Sequence, residues 1–100
     1  MIDPAGYNKV VILTGCSSGI GLQTALLFLS HQYKVFGMDI TPFDYTVLEK
    51  FEGGKYQEYF HFHQADLMKP EVIEESVAIC VQKWGCVSYL HDQSVIANKI

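Results

Sequence analysis

A parallel α/β fold is what this sequence predicts, and three observations carry the prediction. Two short, continuous apolar and β-branched runs, Lys9–Thr14 (KVVILT) and Lys34–Ile40 (KVFGMDI), have the composition of strands buried on both faces of a parallel sheet. Between them a glycine-rich turn leads into a helix-length apolar segment. Further on, an acidic and then amphipathic segment from Pro70 to Trp84 is long enough to serve as a second crossover helix. Strand–helix units of this length imply right-handed crossovers in one sheet.

In chain order, the first strand ends at Thr14, and a helix is expected from Gly19 to about Ser30. Ala25, Leu26, Leu27, Phe28 and Leu29 make that helix apolar on most sides, as suits a position under a sheet. His31 falls near its negative end. The second strand stops before Pro42, which cannot continue a ladder. Residues 43–54 fit one or two helical turns closed by Gly53 and Gly54. Phe60–Ala65 (FHFHQA) alternates and reads as a third strand, closed by Asp66 and Leu67. The Pro70–Trp84 helix opens with proline at its first position and Glu71, Glu74 and Glu75 near its positive end. Ile73, Val77, Cys80 and Trp84 form its expected buried stripe, and Gly85 stops it. Val87–Leu90 is a candidate fourth strand, although His91 and Asp92 sit poorly in a strand that should be wholly buried.

One hundred residues make one domain, and 49% hydrophobic residues place it among globular chains. The net charge of −4, with no arginine and seven scattered lysines, argues against nucleic acid as the partner. Three cysteines, Cys16, Cys80 and Cys86, form no CxxC pair, which fits a reducing compartment better than a disulfide framework. The first residues (MIDPAGYNK) have no apolar core of a signal peptide, and no run reaches membrane-spanning length. The expected location is cytoplasmic, with no membrane partner.

The stretch Thr14–Gly21 (TGCSSGIG) carries the chemistry. A glycine directly after the strand allows a sharp turn, and one at the helix start lets backbone N–H groups approach a phosphate. A third lets helix and sheet pack closely. The helix N-terminus then offers unpaired N–H groups and partial positive charge to a pyrophosphate. Asp39 ends the second strand 18 residues past Gly21, where a dinucleotide fold places an acid for the ribose hydroxyls. Asp66 ends the third strand, within reach of an adenine edge. The competing reading of both acids is as turn caps.

These residues resemble the short-chain dehydrogenases/reductases. The family's glycine motif, T-G-x-x-x-G-I-G, is matched at every fixed position by Thr14-Gly15-Cys16-Ser17-Ser18-Gly19-Ile20-Gly21. Asp39-Ile40, Asp66-Leu67 and the closing Lys83-Trp84-Gly85 follow in the family's order, so the resemblance covers about Lys9 to Gly85. It implies a Rossmann-like, doubly wound parallel sheet, here truncated after a fourth strand, in an oxidoreductase that passes hydride between a nicotinamide and an alcohol or carbonyl. It also implies a cofactor site made of Gly15, Ser17, Ser18, Gly19, Ile20 and Gly21 at the phosphates, Asp39 and Ile40 at the ribose, and Asp66 with Leu67 beside adenine. NAD is expected over NADP, because Asp39 repels a 2′-phosphate and no arginine compensates.

The family's catalytic Tyr-x-x-x-Lys has no counterpart. Four residues after Tyr7, Tyr33, Tyr45, Tyr56, Tyr59 and Tyr89 stand Val11, Gly37, Glu49, Phe60, His63 and Gln93. No catalytic residue is therefore assigned. Past Gly85 or Cys86 the expected apolar strand and N-N-A-G give way to CVSYLHDQSV, so the likeness is expected to end there. This divides the chain into a dinucleotide-binding part, 1–86, and an atypical tail, 87–100. Val87-Ser88 can be encoded by GTAAGT and Ala97-Asn98 by GCTAAC, a splice donor and a branch site, so a translated intron is one explanation of the tail. Other codons at those sites in the gene would remove it. A small-molecule substrate is expected only if a C-terminal half is supplied. The alternative is a non-catalytic truncated product, or a remnant that acts through a partner.

Three further features weigh less. His61 and His63 share one face of a strand, but no third metal ligand is evident, so no metal site is assigned. Cys16 lies near a helix N-terminus, which lowers a thiol pKa, but it occupies a variable motif position. A methyltransferase also uses a glycine turn and an acid after the second strand, yet Thr14 and the G-x3-G-x-G spacing fit it poorly.

Overall fold

A computed structural model of the chain describes residues 9–66 and 68–91. Four strands, β1 (Val10–Thr14), β2 (Lys34–Asp39), β3 (Phe60–Gln64) and β4 (Tyr89–His91), form one sheet in the order β3-β2-β1-β4. All three pairings are parallel, with Val11 opposite Val35 and Tyr89, and Val35 opposite Phe60. Helix α1 (Gly19–Ser30) links β1 to β2, and α3 (Pro70–Trp84) links β3 to β4. The short α2 (Thr46–Lys50) and two 3₁₀ segments, Phe51–Gly54 and Gln57–Tyr59, connect β2 to β3. This is the Rossmann-like α/β arrangement.

β1 and β2 are where continuous apolar sequence put them, because a parallel strand covered on both faces has no solvent side, whereas the edge strand β3 buries Phe60 and leaves His61 to His63 half-buried. All five β1 residues are buried, and alternate ones enter opposite cores. Val11, Leu13 and Val35 pack with Ala25, Leu29, Phe43, Leu48 and Phe60 on the α1 face. Val10, Ile12, Phe36 and Met38 pack with Val72 and Cys80 on the α3 face. Each fully buried aliphatic side chain contributes about 1.5–3 kcal/mol relative to exposure.

Two expectations are corrected here. The buried stripe of α3 is Val72, Ser76 and Cys80, whereas Val77 is 37% exposed and Ile73 and Trp84 are only partly covered. Ser76 is tolerated inside because its hydroxyl lies 2.8 Å from the Val72 carbonyl and 2.7 Å from the Met38 sulfur, so its polar atom is satisfied. The fourth strand starts at Tyr89 and includes His91, opposite Leu13. Its lead-in is fixed by Ser88, whose N–H donates to the Val10 carbonyl at 2.8 Å while its hydroxyl accepts from Val10 N–H at 3.1 Å. Asp92 and the rest of the tail lie outside the described residues.

Candidate functional site

The β1–α1 turn gives each of its three glycines a separate task. Gly15 has φ 69° and its N–H donates to the Met38 carbonyl at 2.8 Å, so the chain leaves β1 sharply while staying tied to the end of β2. Gly19 opens α1 with φ 59°, and a Cβ placed there would meet nothing within 4 Å. Its surface is open to an approaching group. Gly21 is buried, and a Cβ there would lie 1.6 Å from the Gly15 carbonyl oxygen. The third glycine therefore serves contact between the helix and its own loop; the expected helix–sheet packing is not what requires it.

Ser18 is the cap residue of α1, yet its side chain makes no capping hydrogen bond, and the first turn carries no acid. Among the described residues no side chain caps the start of the helix, an arrangement that an outside acceptor can use. Beside it Ile20 is 79% exposed, on the rim of an open hollow lined also by Gly19, Gln23, Thr24 and Leu27.

Asp39, at the end of β2, is drawn to this turn. One carboxylate oxygen accepts the Ser17 N–H at 3.0 Å and the other accepts the Thr41 N–H at 3.0 Å. The Ser17 hydroxyl closes the ring by donating to the Thr41 carbonyl at 2.7 Å. A carboxylate has about four acceptor positions, and bonds among the described residues occupy two of those on Asp39. Thr41 was not singled out from the sequence, and a residue two past a strand-end Asp gives only the weak signal of an Asx turn. Gly37 was missed as well. A Cβ there would come within 2.6 Å of the Cys16 sulfur and 2.9 Å of the Phe60 ring. A lone glycine inside a strand was the available signal.

Cys16 sits in the same turn. It is fully buried, and burial, followed by the Asp39 carboxylate, pushes its thiol up from 9.0 to about 12. The helix end does not activate it.

Asp66 makes only local bonds among those the structure shows. Its carboxylate accepts the Met68 N–H at 3.0 Å and its carbonyl accepts the Lys69 N–H at 3.2 Å. Ile40 is 62% exposed beside Asp39, and its carbonyl accepts the Gln64 side-chain amide at 2.9 Å. Leu67 lies outside the described residues. His61 stacks on Phe36 at 5.0 Å and His63 tilts over the same ring at 6.1 Å. Among the described residues, no cluster of three or more His, Cys, Asp or Glu is placed to hold a metal. Nor is any helix among them long and apolar enough to cross a membrane.

Comparison with known proteins agrees with this geometry. The short chain dehydrogenase family model matches residues 9–98, so the likeness runs past Cys86, where the sequence alone placed its end. The chain is 38% identical over 78 residues to the short chain dehydrogenase prhI of Penicillium brasilianum, covering 78% of this chain and 28% of that protein. It is 35% identical over 78 residues to the short chain dehydrogenase andC of Emericella variicolor, again 28% of its length. Among solved structures, ElxO with NADP bound superposes with a TM-score of 0.67 at 32% identity, over 82% of this chain and 33% of ElxO. A Bacillus anthracis short chain dehydrogenase gives 0.73 at 27% identity, over 89% of this chain and 36% of its own. The chain thus spans roughly a third or less of the relatives it matches. With the motif, the sheet order and the family match in agreement, the chain belongs to the short chain dehydrogenase family.

Proposed function

We propose that the β1–α1 turn binds the pyrophosphate of a nicotinamide dinucleotide. The observation that carries this reading is the pair of an open Gly19 and an uncapped α1 N-terminus beside the fixed Asp39 carboxylate. Gly15, Ser17, Ser18, Gly19, Ile20 and Gly21 supply the cradle. Backbone N–H groups meet the phosphates there, and the glycines keep side chains out of the way. Asp39 takes the adenosine ribose hydroxyls on its remaining acceptor positions. Ile40 lies beside it, and Asp66 with Leu67 borders the adenine.

NAD is preferred over NADP. Ser17 and Thr41 N–H groups hold Asp39 in place, so its charge faces any 2′-phosphate, and the chain has no arginine to offset it. ElxO carries NADP on a similar fold, so the fold alone does not favour NAD and the choice rests on this acid.

When bound, the nicotinamide supplies hydride transfer to or from an alcohol or carbonyl carbon. This chain's residues bind and orient the cofactor, and the pair that would move the substrate proton is not among them. Residues 1–86 hold the binding function, with 87–100 as a tail. A small-molecule substrate is engaged only with a further segment supplied, and a cytoplasmic setting fits its three free cysteines.

Titration of the folded chain with NAD and with NADP tests this. Tighter NAD binding is expected, with no NAD-dependent alcohol oxidation. Tighter NADP binding would overturn the cofactor choice, absence of both would overturn the site, and turnover would overturn the binding-only assignment.

A further inference from the structure

The C-terminal end of α3 brings the thiol of one cysteine against the backbone of another. Gly85 ends the helix in the left-handed region, φ 84° and ψ −10°, and its N–H donates to the Val81 carbonyl at 2.7 Å. A bond from the first residue past the helix to the carbonyl four back is the αL form of termination, and such caps fold the chain back over the last turn. The residue after Gly85 is Cys86. The side chain that meets it is Cys80, whose thiol reaches the Cys86 carbonyl at 3.8 Å. Cys80 is fully buried in the α3-face core, and Cys86 is exposed. Burial first, then Cys86, push Cys80 up from 9.0 to about 11. Cys16 belongs to the other core, across the sheet.

We propose that Cys80 and Cys86 are a reversible thiol–disulfide pair, oxidised by a low-molecular-weight disulfide such as oxidised glutathione. The exposed Cys86 thiolate attacks one glutathione sulfur, forming a mixed disulfide and releasing one glutathione thiolate. Cys80 then gives its proton to solvent and attacks the Cys86 sulfur. The Cys80–Cys86 bond forms, and the second glutathione thiolate leaves. Two protein thiols are oxidised and one glutathione disulfide is reduced to two thiols. The second step is slow at neutral pH and quickens as pH rises, because Cys80 holds its proton. The crosslink closes the α3 cap covalently, one residue pair ahead of the Ser88–Val10 bonds that start β4.

The test uses the folded 100-residue chain with excess oxidised glutathione, followed by alkylation in denaturant without reduction and peptide mass mapping. The expected result is loss of two of the three free thiols. Cys16 alone is alkylated, and a Cys80–Cys86 crosslinked peptide lighter by two hydrogens reverts on adding dithiothreitol. The exposed-site variant Cys86→Ser is expected to keep both Cys16 and Cys80 alkylatable and to take up no glutathione. Stable glutathione on Cys86 with Cys80 still alkylated would overturn the proposal. So would Cys86-linked dimers as the main product, or a disulfide that includes Cys16.

Discussion

The β1–α1 and β3–α3 junctions both run from a parallel strand into a long helix, and they end in opposite chemistry. At β1–α1, three glycines and an uncapped Ser18 leave the helix start open, and the acid beside it, Asp39, arrives from a different strand. At β3–α3, Asp66 folds onto its own turn through the Met68 and Lys69 N–H groups, and Pro70 occupies the first helical position. Proline removes one of the donors that an anion would use. Both junctions lie at the same end of a parallel sheet, so sheet topology alone does not make a binding site. Neither helix start has a side-chain cap, so the difference comes from the open glycine and the acid delivered by another strand at the first junction, against the proline at the second.

Substitution separates the tasks inside the first junction. Gly21→Ala should have the largest effect, since its Cβ would sit 1.6 Å from the Gly15 carbonyl oxygen and backbone must move. A loss of about 3 kcal/mol is expected in urea unfolding. Gly19→Ala meets no neighbour within 4 Å and costs only the left-handed backbone, about 1 kcal/mol. Its NAD affinity should nevertheless fall by about tenfold or more, about 1.4 kcal/mol. Equal stability of the two variants would erase the division of labour between these glycines.

Alkali probes the same loop. In the folded chain the Cys16 thiol keeps its proton up to about 12, against 9.0 for an ordinary thiol, because of burial and then Asp39. The unfolded chain releases that proton first. The stabilisation from this thiol is complete below pH 9.0 and is lost as pH rises toward about 12. Cys16→Ala should flatten the fall in unfolding midpoint across that window, and an unchanged slope would contradict the burial of this thiol as its cause.

The two acids should separate by a smaller margin. Asp39→Ala leaves the Ser17 and Thr41 N–H groups without their acceptor and should cost about 1–2 kcal/mol. It should also narrow the gap between NAD and NADP affinities. Asp66→Ala removes one exposed turn bond, worth about 0.5–1 kcal/mol. A larger loss of stability at Asp66 than at Asp39 would reverse the contrast between the junctions.

Much of this was legible in the sequence, for identifiable reasons. Lys9–Thr14 and Lys34–Ile40 read as strands because burial on both faces leaves an unbroken apolar run, and β2 stops only one residue earlier, at Asp39. The glycine octapeptide fixed the turn because positive φ and close approach select glycine. The α3 stripe was harder. A helical period of 3.6 lets Ile73–Val77 and Val72–Ser76 compete for the core, and only the bonds of Ser76 to Val72 and Met38 decide for the second. Likewise, a bond from Ser17 to Asp39 spans 22 residues and has no local pattern. A place near a helix start lowers a thiol pKa, and only the packing of Cys16 against Gly37 and the core shows why its pKa rises instead. The 3₁₀ turn at Gln57–Tyr59 had no clear signal beforehand.

Backbone amide shifts followed by NMR during NAD titration of the folded chain measure the contrast most directly. The largest shifts are predicted at Gly15–Gly21 and at Asp39–Thr41, with smaller ones near Asp66 and none at the start of α3. Largest shifts at Lys69–Ile73, or none at Gly19–Gly21, would contradict a dinucleotide cradle at the first junction.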